Sequence, residues 1–214
     1  MTIKHTLKKI ENIISILIIL IVFSSIISAH SEVNLLAASE ELDVGGVILA
    51  SLDTEEGSGK IYIESNVIIS PDTQISIRLA NEIICNNYDE VDCEDKDFYY
   101  SIKSKSNFIT GPSAGSAFAL LTYSELTNKK IPKNLALTGT INSGGYIGNV
   151  GGLTQKITGA SQKNIKYVLI PFANKNYLDF KNINLTNESV ENISKIINES
   201  KINLIDFGDR KSVV

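Results

Sequence analysis

Apolar residues follow three different rhythms along this chain, and each change of rhythm marks a change of element. From Ile13 to Ala29 there is no rhythm, because 17 residues pass without a charge. A helix that is apolar all round has no solvent face. The run sits at the short end of the roughly 17 to 25 residues that span a bilayer core. Further on, VGGVILASL (44–52) and KIYIESNVII (60–69) read as strands, the second alternating with period two. Ser70-Pro71 predicts an N-cap with proline at the first helical position. It opens a helix to about Asn86 with Ile75, Leu79 and Ile83 on one face. FYYSIKS (98–104) predicts a strand that leads into a helix over 113–127. That helix buries Ala117, Leu120 and Leu121 and closes at Asn128-Lys-Lys. LALTGTI and GYIGNV flank Asn142-Ser-Gly as a hairpin. A short helix from near Gly152, a strand KYVLIP (166–171), a helix SVENISKIINE and a strand INLIDF complete the series. Strands alternating with helices predict one α/β domain over 41–214. Residues 1–31 are set apart as signal peptide or membrane anchor, and 32–40 as a linker.

Charge gives the apolar run a direction. Lys4, Lys8 and Lys9 precede it and no lysine follows until Lys60, so the positive-inside rule keeps the N-terminus cytoplasmic and exports the rest. Ala29-His30-Ser31 offers small residues at processing offsets, so a cleaved signal peptide stands beside a retained anchor. Cys85 and Cys93, on either side of NNYDEVD, are either a disulfide formed in an oxidising compartment or two buried thiols. Asn184, Asn187, Asn192 and Asn198 each open an N-x-[ST] acceptor, compatible with glycosylation on an exported surface. With 214 residues, 43% of them hydrophobic, the chain can build one full core. Its net charge of -4 argues against a nucleic-acid partner.

Candidate chemistry centres on GPSAG, where Ser113 stands between Gly111 and Gly115 in the pattern G-x-S-x-G. A serine hydroxyl needs a base, most often histidine. The only histidines, His5 and His30, flank the apolar run and are poor candidates. Between Phe98 and Leu178 the only acid is Glu125, twelve residues along the same helix and so about 18 Å from Ser113. A lysine, or an acid brought from elsewhere by the fold, is left. Lys156 in GGLTQKITGA lies beside the apolar stripe of Leu153, Ile157 and Ala160. Burial in an apolar pocket would disfavour its ammonium form and fit it for general-base work near pH 7. The plainer alternative lays its stem along an apolar edge with its head in water. Around Ser113, Pro112 stiffens the turn, the two glycines allow close approach, and N–H groups of the first helical turn, beginning with Ala114, can face an oxyanion. The plainer reading of GPSAG is a small-residue helix start packed on a neighbour.

The run from GPSAG to KYVLIP, residues 111–171, resembles the proteolytic domain of the Lon protease family. GPSAG, the TG of LALTGT, the GGL-to-lysine helix and IPFANKN occur together in the family's order. The resemblance implies an α/β fold, a single Lon-type proteolytic domain after an N-terminal hydrophobic helix. It also implies a Ser-Lys dyad with Ser113 as nucleophile and Lys156 as base, and Thr138 as the hydroxyl that orients the lysine. Thr110 and Thr140 stand where family members commonly carry acids. Lon proteins join this domain to an ATPase, and GSGK (57–60) lacks both the first glycine and the Ser/Thr of a phosphate loop. The expectation is therefore an ATP-independent serine endopeptidase acting on polypeptide, needing no cofactor and no metal. It would be membrane-tethered through 13–29 or secreted, and ring assembly is implied by resemblance alone. Strand 98–104 is the expected edge for an extended substrate. Two alternatives stay open, a signal-peptidase-like processing protease and a non-catalytic peptide-binding module of the same fold.

Overall fold

The computed structural model describes residues 30–39, 42–89, 91–163 and 165–171. The hydrophobic helix expected over 13–29, the helix SVENISKIINE, the strand INLIDF and the four asparagine acceptors lie outside the described residues. Among the described residues no helix is long and apolar enough to cross a membrane.

Residues expected as linker are instead part of the sheet. Ser31–Ser39 form β1, which pairs antiparallel along its whole length with β2, Val44–Glu56. Their neighbours in sequence turn opposite ways, as a strand's period of two requires. Val33 and Leu35 enter the main core while Leu36 faces the other side with Ala136 and Ala160. β2 is followed by β3 (Ile61–Ser65) and a two-residue β4 (Ile68–Ile69), so the single strand expected over 60–69 is broken in two. β5 (Lys96–Lys103) comes next, then a short β6 (Phe108–Ile109) that pairs parallel with β4. β7 (Leu135–Leu137) and β10 (Tyr167–Leu169) extend the sheet, whose order is β10-β7-β1-β2-β5-β3. β8 (Thr140–Ile141) and β9 (Ile147–Gly148) form the expected hairpin.

β5 lies inside this sheet, bonded antiparallel to β2 on one side and parallel to β3 on the other. Both rows of its backbone groups are taken. Strand 98–104 therefore cannot accept a substrate strand, contrary to expectation.

Two helices cover the main-core face. α1 (Pro71–Asn87) has Ser70 as N-cap and Pro71 in its first turn, as its sequence predicts. Its buried face keeps the expected Ile83 but is turned away from Ile75. Ile75 is 62% exposed, whereas Thr73, Ile77, Ala80 and Ile84 point inward. The apolar period is helical either way; two polar side chains turn inward because their hydroxyls are satisfied there, one by another segment and one by its own helix. Thr73 donates to the Gly111 carbonyl and Ser76 to the Asp72 carbonyl. α2 (Gly115–Thr127) is buried along Gly115 to Ser124 and ends at Asn128 in the left-handed conformation. A disulfide joins Cys85 in the last turn of α1 to Cys93 ahead of β5. α3 (Leu153–Ser161) packs on the opposite face of the sheet, against β1 and β2. There a Cβ added to Gly159 would meet the Gly45 carbonyl carbon at 2.3 Å, so helix and strand touch backbone to backbone.

Candidate active site

Ser113 stands two residues ahead of α2, in the turn that joins β6 to that helix, and is half-buried. Gly111 opens the turn with φ +93°, a value that favours glycine. Nothing lies within 4 Å of where its Cβ would be, so conformation and not space selects glycine here. Gly115 is the reverse case. A Cβ there would come within 2.8 Å of the Ile141 Cγ2 and 3.0 Å of its nitrogen, so the second glycine lets β8 press against the start of α2. Pro112 is exposed, and its carbonyl accepts from the Gly115 N–H at 3.1 Å. Ala114 is the N-cap and packs on the main core.

The segment after β7 closes over this turn. Gly139 N–H donates to the Ser113 carbonyl at 2.8 Å, and the Ser116 N–H donates to the Gly139 carbonyl at 3.0 Å. Two amides of the first helical turn, those of Gly115 and Ser116, are thus already engaged. An oxyanion would have to be met by amides of the turn itself, ahead of Gly115.

Thr138 ties the serine turn to the lysine helix. Its Oγ1 donates to the Ser113 carbonyl at 3.0 Å and accepts from the Lys156 Nζ at 3.2 Å. Thr138 is 2% exposed and Lys156 4%. The lysine therefore does not lay its head in water. It sits in the first turn and a half of α3 with its N–H on the Gly152 carbonyl at 2.9 Å, among the buried Leu153, Ile157 and Ala160. Backbone contact at Gly45 and Gly159 and the Gln155 Nε2 bond to Asp43 Oδ1 at 2.8 Å fix this helix on the sheet. Thr110 is exposed and Thr140 lies in the hairpin with its hydroxyl toward Gly148. Glu125 is structural, accepting from the Ser31 N–H at 3.0 Å and so fastening β1 to α2. No group of three or more His, Cys, Asp or Glu side chains among the described residues could hold a metal.

The serine turn, Thr138 and Lys156 all lie in a stretch that is similar to known proteins. The family model of the Lon protease (S16) C-terminal proteolytic domain matches residues 44–203. The chain belongs to the Lon protease family. It is 32% identical over 142 residues to the Lon protease of Buchnera aphidicola subsp. Acyrthosiphon pisum, covering 64% of this chain and 18% of that protein. The Lon protease of Clostridium beijerinckii is 31% identical over 166 residues, 73% of this chain and 20% of that protein. That of Methanosarcina barkeri is 28% identical over 164 residues, again 73% and 20%. The chain spans about a fifth of the length of the curated relatives it matches. What it carries is the proteolytic domain of a family of serine endopeptidases.

Sequence reasoning missed the residues that hold the serine turn from the other side. Asp72 and Thr73, in the first turn of α1, bind the two backbone polar groups of Gly111. The signal in the sequence, Ser-Pro-Asp-Thr at a helix start, reads as a cap. Nothing local says that it also caps a second segment.

Proposed function

We propose that this chain is a Lon-like serine endopeptidase that hydrolyses unfolded or extended polypeptide outside the cytoplasm without ATP, with Ser113 as nucleophile and Lys156 as general base. The observation that carries the reading is the Ser113 carbonyl, Thr138 hydroxyl and Lys156 Nζ chain, closed in a buried setting. Burial penalises the charged form of an amine, and a base must be neutral to accept a proton. Thr138 holds the Nζ while its own proton is committed to the Ser113 carbonyl.

In this mechanism the Ser113 Oγ attacks the scissile carbonyl carbon as the Lys156 amine takes the hydroxyl proton. The tetrahedral oxyanion is met by the amides of Ser113 and Ala114, because those of Gly115 and Ser116 serve the fold. Lys156 then returns the proton to the leaving amine as the C–N bond breaks, which leaves an acyl-enzyme. Water, deprotonated by the same lysine, hydrolyses the ester and restores Ser113. Peptide hydrolysis is downhill and these steps are acyl and proton transfers alone, so the chemistry requires no nucleotide. An extended substrate lies along β6, which runs into the serine turn and pairs with β4 on one side.

Export is supported by Lys4, Lys8 and Lys9 ahead of the uncharged run 13–29, and by the Cys85–Cys93 disulfide. Residues 1–31 act in this reading as membrane anchor or signal peptide. Ring assembly belongs to the same reading and is read out by light scattering. The test is cleavage of an unfolded protein by the purified full chain, with no nucleotide present, against Ser113→Ala and Lys156→Ala. Both variants are expected to fall at least about a thousandfold while keeping the wild-type circular dichroism. Equal cleavage by all three would overturn the dyad, and cleavage that appears only with ATP would overturn the nucleotide-free reading.

A further inference from the structure

The serine turn is held at two ends by different parts of the chain. Thr138 and Gly139 grip it at Ser113. At Gly111, two residues earlier, the grip comes from α1. The Asp72 Oδ2 accepts from the Gly111 N–H at 3.0 Å, and the Thr73 Oγ1 donates to the Gly111 carbonyl at 3.0 Å. Both backbone polar groups of one residue are thereby fixed by adjacent side chains of one helical turn. That residue is also the one with φ +93°, so the clamp lies where the backbone changes direction.

The two side chains are themselves set in place. Asp72 Oδ1 accepts from the Thr73 N–H at 2.9 Å and from the Ser70 hydroxyl. The Ser70 and Thr73 hydroxyls are 3.1 Å apart. Upstream, the same two segments run together: the Ile68 N–H donates to the Asn107 carbonyl at 3.2 Å, β4 pairs with β6, and the Ser70 N–H donates to the Ile109 carbonyl at 3.0 Å. The clamp is the last step of this zipper before the chain turns toward Ser113. Hydrogen bonds from Ser70, then from the Thr73 and Gly111 amides, hold the Asp72 carboxyl below the usual carboxylate range. It is therefore an ionised acceptor, which gives a stronger bond to an N–H than a neutral group would. Thr110, at the position just before the motif, offers no carboxylate, and the one that reaches this loop comes from α1.

We propose that Asp72 and Thr73 are positioning residues for the nucleophile: by fixing both polar groups of Gly111 they set the path of the turn and so hold Ser113 in register with Lys156. This rests on the reading of Ser113 as nucleophile. Neither residue touches substrate, so their effect belongs on the chemical step and not on binding. Misplacement of a reacting group by about 1 Å costs on the order of 100-fold in rate.

The experiment uses the purified full chain, with kcat and KM on a fluorogenic peptide and the rate at which a fluorophosphonate acylates Ser113, read by mass spectrometry. Asp72→Asn and Thr73→Val are each expected to lower kcat and the acylation rate by about 10- to 100-fold with KM within about twofold. Thr73→Ser, which keeps the hydroxyl, is expected to stay near wild type. The double variant should fall short of the product of the single effects, because both bonds act on one residue. Wild-type kcat and acylation in Asp72→Asn and Thr73→Val, with Ser113→Ala inactive, would overturn the clamp and leave the nucleophile standing. Undiminished cleavage by Ser113→Ala would overturn the reading beneath it. Should Asp72→Asn fail to fold, the Thr73 pair still decides: equal rates in Thr73→Val and Thr73→Ser sink the proposal.

Discussion

The serine turn and the lysine helix are built by opposite means. Ser113 sits in irregular backbone, half-exposed, where position is set by hydrogen bonds from two separate segments: Gly111 to α1, and Ser113 and Ser116 to Thr138-Gly139. Lys156 sits in regular helix, buried, where position is set by close contact of α3 with β2 at Gly45 and Gly159. The difference follows from what each must do in the proposed reaction. A nucleophile has to meet a substrate from outside, so its surroundings must stay open and hydrogen bonds must do the fixing. A base lysine must be kept from water, so packing does it. The Thr138 side chain is bonded to both.

The largest break in this comparison should come from beneath it. β1 is packed by both α2 and α3 and lies between β2 and β7. Deleting residues 30–39 is expected to abolish the cooperative thermal transition, since removing an inner strand exceeds the roughly 5–15 kcal/mol by which a domain is stable. A chain that lacks them and still melts cooperatively would show that the two regions fold without a shared strand. Next in size, Gly159→Ala forces backbone against backbone and should cost about 3 kcal/mol in a denaturant titration. Gly111→Ala meets open space and bears only the strain of φ +93°, about 1–2 kcal/mol. If the order is reversed, packing and conformation have been assigned to the wrong ends.

Smaller again in stability, but visible in kinetics, is Thr138→Val. It removes the hydroxyl shared by the two regions at constant shape and should lower kcat about 10- to 100-fold while the fold persists. A wild-type kcat would mean that each end positions itself. The smallest effect is alkaline. Burial pushes the Tyr100 phenol up to about 12, with its hydroxyl 2.6 Å from the Thr122 Oγ1 of α2. Its folded value lies above the unfolded value of about 10, so its contribution is fully present below pH 10 and is lost as pH rises towards 12. Chemical denaturation across that window should show a steeper decline for wild type than for Tyr100→Phe, on the side of the core that carries the serine helix.

Much of the site was legible from residue order. Counting acids and histidines around Ser113 left a lysine, and Lys156 beside Leu153, Ile157 and Ala160 was the one placed on an apolar stripe; the structure buries it. The caps at Ser70-Pro71 and Asn128 and the hairpin at Asn142 were legible because turn and cap chemistry is local. β1 was not. An uncharged run ends immediately before it, and nothing in SEVNLLAAS separates a strand from a tether until its partner β2 is known. The face of α1 was misjudged in part for a related reason: Ile83 is buried as expected, but Thr73 is polar by type and inward by partnership.

The sequence by itself determined most caps and the hairpin, which serine and lysine are candidates for the proposed dyad, and which families of chemistry lack their residues. Those depend on neighbours within about one helical turn. Only the tertiary structure decided that β5 is an inner strand and no place for a substrate, that the Thr138 hydroxyl joins both halves of the site, and that Asp72 reaches across to Gly111. These are pairings between distant segments. A hydrogen bond has no preferred partner until folding removes the water that would otherwise satisfy it.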